Sequence, residues 1–405
     1  MNNAFRRGCL VLLFLLAGCV PPPAAVKAPP APPRGVSPLV PLSPGAHPRF
    51  ADDMDYAGIS ESLGESLKYL KRLPPDTPFT FGADTYDAAH MIRSLERFRA
   101  AIDTRPDRDA LSRFIRSHYR VYRSVGGDSG KMLFTGYYEP SLDGSLRRTG
   151  RYRHPIYGPP KDMAVVDLSA FSEKLAGKKI VGRVKGKTFV PYHDRKEIEE
   201  GALAGKAPVL AWVSDPVALF FLQVQGSGKV DLENGDRLNV HYHSSNGRPY
   251  RSIGNLLIQE NRIPRAEMSM QAIRGYLRAH PREMDRVFNY NPSYVFFSLE
   301  EDGPYGAIRA KLTPGRAIAV DRAVFPMGGI AFIQTQKPAA GPSGNGEVSN
   351  WVPFSRFVST QDTGGAIKGP GRADIFWGSG PYAELAAGHL KHDGELYFLV
   401  LKPEA

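Results

Sequence analysis

From Lys131 to the C-terminus the apolar residues fall in short runs, continuous or alternating with polar ones, and glycine interrupts them. This texture limits the fold more than any other feature, because such runs suit strands and are too short for ordinary helices. Strands are predicted at 131–134, 209–213, 219–224, 238–243, 317–320, 330–334, 357–359, 374–377 and 396–401. One helical interlude, about 266–288, carries Met270, Ile273, Leu277 and Met284 as its apolar stripe. Residues 337–347, rich in Pro, Gly, Ser and Asn, read as a loop. Upstream the period is helical. Ile59, Leu63, Leu67 and Leu70 form one stripe, and Met91, Leu95, Phe98 and Ile102 a second. Leu111, Phe114, Ile115, Tyr119 and Tyr122 form a third, with Asp84 and Asp107 where N-caps are expected.

Composition removes several classes of function. The chain has 405 residues, 42% hydrophobic and 23% charged, enough for two ordinary domains with a sizeable core. The formal charge is +11, but the signs are mixed and no basic helix is laced with aromatics, so nucleic acid is not an expected partner. Such a surface suits an anionic polymer or lipid. The two cysteines, Cys9 and Cys19, both lie near the N-terminus, which leaves no disulfide framework or cysteine metal site for the body.

The N-terminus has the pattern of an address. Arg6 and Arg7 precede an apolar run from Leu10 to Leu16, and small residues follow, the pattern of a secretory signal. Leu16-Ala17-Gly18-Cys19 resembles a bacterial lipobox, which implies removal of residues 1–18 and lipidation of Cys19. Val20, rather than aspartate, follows the cysteine, so the expected location is the periplasmic face of the outer membrane. Beyond the first twenty residues no apolar run approaches the ~20 needed to span a bilayer. Residues 21–48 hold eleven prolines and no periodic apolar pattern, as in a stiff extended tether. At the polyproline rise it reaches on the order of 80 Å.

The chemistry is concentrated in residues 361–378. Asp362 and Asp374 stand twelve apart, separated by glycines that permit positive φ and close backbone approach. Asp374 lies between Ala373 and Ile375. Desolvation there raises a carboxyl pKa, as a general acid near neutral pH requires. An aspartate capping a turn is the plainer alternative, and Asp362 beside Thr363-Gly364-Gly365 reads first as a turn-former.

This stretch resembles the C-terminal 3D segment of the membrane-bound lytic murein transglycosylase A family, which contributes to a double-psi β-barrel. Further segments agree in order. They are Phe134-Thr135-Gly136-Tyr137-Tyr138-Glu139-Pro140, then Arg195, Ile198, Gly201 and Leu203, then Phe221-Leu222-Gln223-Val224-Gln225-Gly226-Ser227-Gly228. Tyr250 to Gly254, Met268 to Arg274 and Asn291 to Phe297 follow, so that the resemblance covers most of residues 130–405.

The resemblance implies Asp374 as the catalytic acid, with Asp362 and Asp321 as supporting carboxylates. It places Thr135, Gly136, Tyr137, Tyr138, Gln223, Gln225, Gly226, Ser227, Gly228 and Lys368 along a groove that binds substrate. Tyr137 and Tyr138 have flat apolar faces with polar tips, suited to pyranose rings. Gln223, Gln225 and Ser227 are uncharged partners for hydroxyl and N-acetyl groups, although on glycine content alone 225–228 is equally a hairpin turn. Where the family pattern has a tyrosine the chain has Phe376, which removes a hydrogen bond but leaves stacking on a sugar.

The implied reaction cuts the glycan strands of peptidoglycan between MurNAc and GlcNAc and leaves a 1,6-anhydro end, with no cofactor or metal. Other expected partners are the bilayer, through the acylated Cys19, and a wall-synthesis complex. Competing functions are a non-catalytic, expansin-like wall-binding lipoprotein and a hydrolase using Glu139 as base. His241 and His243, two apart on a strand with His193 upstream, suggest a metal site only weakly, since spacing supplies no third ligand.

The expected fold is mainly β. A double-psi β-barrel domain with N-terminal helices takes residues 50–139 and 300–405, and an inserted β-rich substrate-binding domain takes 140–299, with the groove between them. Residues 1–18 are the signal peptide and 19–49 the lipidated cysteine with its tether.

Overall fold

The computed structural model describes residues 38–127, 130–339, 348 and 350–403. The signal segment, Cys19 and most of the predicted tether lie outside the described residues. In chain order the elements begin with β1 (Leu39–Pro41), α1 (Ile59–Leu70), β2 (Pro78–Phe81), β3 (Asp84–Asp87), α2 (Ala88–Asp103), α3 (Arg108–His118), β4 (Tyr119–Ser124) and β5 (Met132–Glu139). Next come β6 (Ser141–Ser145), β7 (His154–Tyr157), β8 (Ala164–Asp167), β9 (Lys179–Lys185), β10 (Thr188–Pro191), α4 (Arg195–Glu197), β11 (Val209–Val213) and α5 (Pro216–Gln225). They are followed by β12 (Ser227–Leu232), β13 (Arg237–Ser245), α6 (Ile253–Gln259), α7 (Met270–Ala279), α8 (Met284–Asn289) and β14 (Val295–Glu300). The last are β15 (Ala317–Ala319), β16 (Ile330–Pro338), β17 (Trp351–Asp362), β18 (Arg372–Ser379), α9 (Pro381–His389) and β19 (His392–Leu401).

Six strands close on themselves in the order β5-β18-β15-β17-β16-β19, with β19 pairing back onto β5. Two of the contacts are parallel, β18 with β5 and β15 with β17. Closure leaves no free edge within the ring. Strands β4 and β1 continue outward from β19. The chain leaves the barrel after β5 and returns at β15. Between these points lie a six-stranded sheet, β14-β13-β12-β6-β11-β7, and a three-stranded one, β10-β9-β8.

The two upstream stripes are core faces, as their period predicts. Ile59, Leu63 and Leu70 of α1 and Met91, Leu95 and Phe98 of α2 are fully buried in the cluster that includes Phe332, Phe357 and Phe398 of the barrel. Charge reinforces this packing. The guanidinium of Arg316, just before β15, donates to both carboxylate oxygens of Asp52 at 2.6 and 2.8 Å, and both side chains are sealed from solvent. Arg356 of β17 does the same with Asp53 at 2.8 and 2.8 Å. Each pair ties the segment before α1 to the barrel.

Several predicted elements differ. Residues 219–224 are not a strand but part of α5. Asp215 caps that helix by accepting from the backbone of Val217 and Ala218, Pro216 opens it, and Gly226 closes it at φ 85°. Its residues are apolar on nearly every side because the helix is buried, which hides the helical period. The third stripe is split. The helix ends at His118, and Tyr119 and Tyr122 belong to β4. Asp107 caps α3 as expected, but the cap of α2 is Asp87, while Asp84 opens β3 and accepts from the Tyr122 hydroxyl. The interlude at 266–288 is two helices, α7 and α8, with Pro281 between them. At the end of the predicted tether, Leu39–Pro41 pairs with β4 and Leu39 is buried, so these residues belong to the folded body. Strand β16 runs into the predicted loop as far as Pro338, and residues 340–347 lie outside the described ones.

Candidate active site

Register brings the site together. In the parallel pair, Asp374 of β18 lies opposite Thr135 of β5, and Phe376 opposite Tyr137. Across the other edge of β18, Asp374 faces Ala319 of β15, and Ala319 faces Asp362 at the end of β17. Side chains two apart on a strand share a face. Thr135 and Tyr137 therefore project with Asp374, and Asp362 joins them from two strands away.

Hydrogen bonds connect these groups. The Thr135 hydroxyl donates to Oδ1 of Asp374. Arg372 Nη2 donates to the same hydroxyl oxygen at 3.1 Å, so the hydroxyl's proton is directed at the carboxylate. Tyr137 donates its phenol proton to Oδ2 of Asp362 at 2.7 Å. The other oxygen of Asp362 accepts from the backbone N–H of Thr363 at 2.8 Å and of Ala307 at 3.0 Å.

Burial then sets the electrostatics. Desolvation pushes Asp374 up to about 6; the cation of Arg372 opposes the rise and the charge of Asp362 adds to it. Desolvation also lifts Asp362 to about 6, against the three hydrogen bonds from Tyr137, Thr363 and Ala307. The Tyr137 phenol is held well above its ordinary value by burial and by Asp362. The two aspartates thus differ in environment. Both are half-buried, but Asp362 accepts three hydrogen bonds as an orienting acceptor, whereas Asp374 has one side-chain donor. A carboxyl that holds its proton near neutrality and retains solvent contact can serve as acid and then as base.

Thr135 also lines a cavity of about 260 Å³ between β5, α5, α6, the start of α7 and the end of α9. Gln225, Phe221, Ser252, Asn255, Met268, Met270 and Lys391 are among its walls. Apolar walls with a few convergent polar groups are the usual make-up of a ligand cleft.

The remaining predicted residues divide. Asp321 is engaged by loop backbone. Its carboxylate accepts from the backbone of Ala323 at 3.0 Å and Gly369 at 2.8 Å, and so fastens the 363–371 loop to the end of β15. Tyr138 points to the other face of β5 and is buried; its hydroxyl accepts from Arg274 at 2.8 Å, which assigns it to packing rather than to a sugar. Gly136 is a packing position, since a β-carbon there would sit 2.6 Å from Trp377 Nε1. Phe376 is buried against Tyr137 at 5.2 Å between ring centres and is not free to stack on a sugar. Gln225 lines the cavity, but its carbonyl oxygen is taken by the Tyr138 N–H at 3.0 Å. Gln223 is buried within α5. Residues 225–228 are not a hairpin: Gly226 ends α5, half-buried Ser227 opens β12, and Gly228 packs on Leu222 and Pro140. Lys368 is exposed on the 363–371 loop.

Glu139 is buried and paired with Lys229 at 2.9 Å, which leaves nothing to favour it as a base across the groove. His241 is buried while His243 is exposed, and the register shifts between Tyr242 and Ser244, so the two imidazoles do not converge. Sequence reasoning missed Arg372 as the group behind Thr135. Its signal was available, because it stands two residues before Asp374 on one strand face.

The chain matches the family model described as the MltA specific insert domain over residues 133–298, and that of the 3D domain over 316–400. It is 31% identical over 358 residues to the membrane-bound lytic murein transglycosylase A of Escherichia coli (strain K12), over 87% of this chain and 86% of that one. The crystal structure of the membrane-bound lytic murein transglycosylase from Agrobacterium tumefaciens matches with a TM-score of 0.68 at 28% identity, over 87% of this chain and 96% of that one. For MltA from Neisseria gonorrhoeae the TM-score is 0.66 at 29% identity, over 95% and 99%. With these matches over most of its length, the chain belongs to the membrane-bound lytic murein transglycosylase A family.

Proposed function

We propose that this protein is a lytic murein transglycosylase in which Asp374 acts alone as acid and base. The observation that carries the reading is the asymmetry of the two aspartates: both are half-buried and lifted to about 6, but three donors converge on Asp362 whereas Asp374 accepts from Thr135 alone among the described side chains.

Protonated Asp374 donates to the glycosidic oxygen between MurNAc C1 and GlcNAc O4, and the C1–O4 bond breaks as the GlcNAc hydroxyl forms. Positive charge develops at C1, where the substrate's own N-acetyl group stabilises it. The Asp374 carboxylate then removes the proton of the MurNAc C6 hydroxyl as that oxygen bonds to C1. The acid is regenerated, no water is consumed, and the product is a 1,6-anhydro sugar. A hydrolase keeping to ordinary glycosidase chemistry needs a second carboxylate across the bond. Here the attacking group belongs to the sugar, so proximity replaces it. Thr135 and Arg372 orient Asp374, Tyr137 and Asp362 support it, and the cavity beside Thr135 holds the strand.

The strands β6–β14, which lie between β5 and β15, support residues 140–299 as the substrate-binding insertion. The lipobox at Cys19 and the proline-rich segment after it support a lipid anchor at the periplasmic face of the outer membrane. The direct test is release of soluble fragments from purified peptidoglycan. The expected result is a loss of 10³-fold or more in Asp374→Asn with the fold intact, on the order of what removal of an essential acid costs. Retained cleavage by that variant would refute the assignment.

A further inference from the structure

The small sheet β8-β9-β10 turns one face to the body and one outward. Residues directly opposite across antiparallel strands share a face. Val181 of β9 packs against the buried cluster of Tyr192, Ile198 and Phe296, so at β9 its face is the inner one, while Val165 opposite it on the edge strand β8 is 56% exposed. The outer face is one residue out of phase and carries Val166 of β8, Ile180, Gly182 and Val184 of β9, and Phe189 and Pro191 of β10. No polar side chain stands on it. Val184 is 69% exposed and Ile180 43%, and Phe171, in the connection from β8 to β9, is 74% exposed. The Phe189 ring lies over Gly182, where a β-carbon would come within 2.6 Å of it. A solvated antiparallel face is normally polar. A contiguous apolar patch of this kind marks an interaction surface.

Charge selects the partner. Residues 161–191 contain seven lysines and arginines against three acids. Lys174 and Lys178 stand at the β8–β9 end and Lys185 and Lys187 at the β9–β10 turn, all exposed. Lysine is depleted from protein interfaces, whereas apolar side chains ringed by lysines fit the boundary of an anionic membrane, where the stems lie along the acyl layer and the ammonium groups meet the headgroups.

We propose that the outer face of β8-β9-β10 docks on an anionic bilayer surface, with Phe171, Ile180 and Val184 entering the headgroup layer and the flanking lysines engaging anionic lipid. This rests on the sheet alone and does not require an acylated Cys19.

The test is flotation of Ser37–Ala405, the compact unit that contains every strand pairing of the fold, with vesicles of neutral lipid and of neutral lipid mixed with phosphatidylglycerol. The protein is expected to float with the anionic vesicles and to remain behind with the neutral ones. Lys185→Gln with Lys187→Gln should weaken binding about fivefold for each lysine neutralised. Ile180→Glu with Val184→Glu should abolish it while thermal stability is unchanged, since both positions are exposed. Failure to float with anionic vesicles, or floating that survives Ile180→Glu with Val184→Glu, would overturn the proposal. So would a concentration-dependent dimer that Val184→Glu dissolves, because a second copy would then cover the face.

Discussion

Replacing Asp374 by asparagine should make the protein more stable at neutral pH while removing its activity. Burial raises the Asp374 carboxyl from an ordinary value of 3.8 to about 6. Between these values the folded protein holds a proton that the unfolded chain has released, so stability falls as pH rises through the window, and the deficit is complete above about 6. Two units at about 1.36 kcal/mol each give about 2–3 kcal/mol. Asparagine keeps an oxygen to accept from Thr135 and carries no charge, so the deficit disappears. Denaturant unfolding of Ser37–Ala405, followed by tryptophan fluorescence, measures it. Asp374→Asn should exceed the parent by about 2–3 kcal/mol at pH 7.5 and by less than about 1 kcal/mol at pH 4. Asp362→Asn should gain less, because an amide cannot satisfy the three donors that converge on Asp362. Equal stability of Asp374→Asn and parent at pH 7.5, or a difference that does not change with pH, would refute the reasoning.

Other consequences follow from the same geometry. The rate of glycan cleavage should decline as pH rises through about 6, where the Asp374 proton is lost; Thr135→Val removes the donor that favours the carboxylate, so this limb should move to higher pH, and a pH–rate profile of both proteins decides the direction. Asp52→Ala strands the sealed Arg316 guanidinium and should destabilise by about 3–5 kcal/mol in the same unfolding assay, whereas an exposed pair such as Lys71 with Glu96 should be worth under about 1 kcal/mol. Gly136→Ala drives a methyl into Trp377 and Ala387 and should cost about 1–3 kcal/mol, with an altered tryptophan spectrum.

Periodicity carried most of the fold that was legible in the sequence. The stripes of α1 and α2 alternate buried and exposed positions, and the C-terminal strands sit between glycines. Helix α5 was hidden because its buried residues leave little polar contrast, although Asp215, Pro216 and Gly226 punctuate it in the manner of a helix. Leu39–Pro41 was lost among prolines, since three residues carry no period; Pro41 is tolerated because β1 lies at the edge of the sheet. At the site, the residue types were visible and the distances were not. Thr135 and Asp374 are 239 positions apart, and only the parallel register of β5 with β18 joins them. The roles of Tyr137 and Tyr138 differ because neighbours on a strand face opposite ways, a consequence of period two that the motif alone did not weigh. Asp321 resembles a site carboxylate in sequence, but its backbone partners at Ala323 and Gly369 make it a loop fastener.

The central claim is that Asp374 performs both proton transfers and that the sugar's own hydroxyl, not water, closes the reaction. Digestion of purified peptidoglycan in ¹⁸O-labelled water, with fragment masses read by mass spectrometry, tests it most directly. The prediction is fragments one water lighter than hydrolysis products, free of ¹⁸O at the new end and absent with Asp374→Asn. Reducing ends that carry ¹⁸O would contradict it and require a base that activates water.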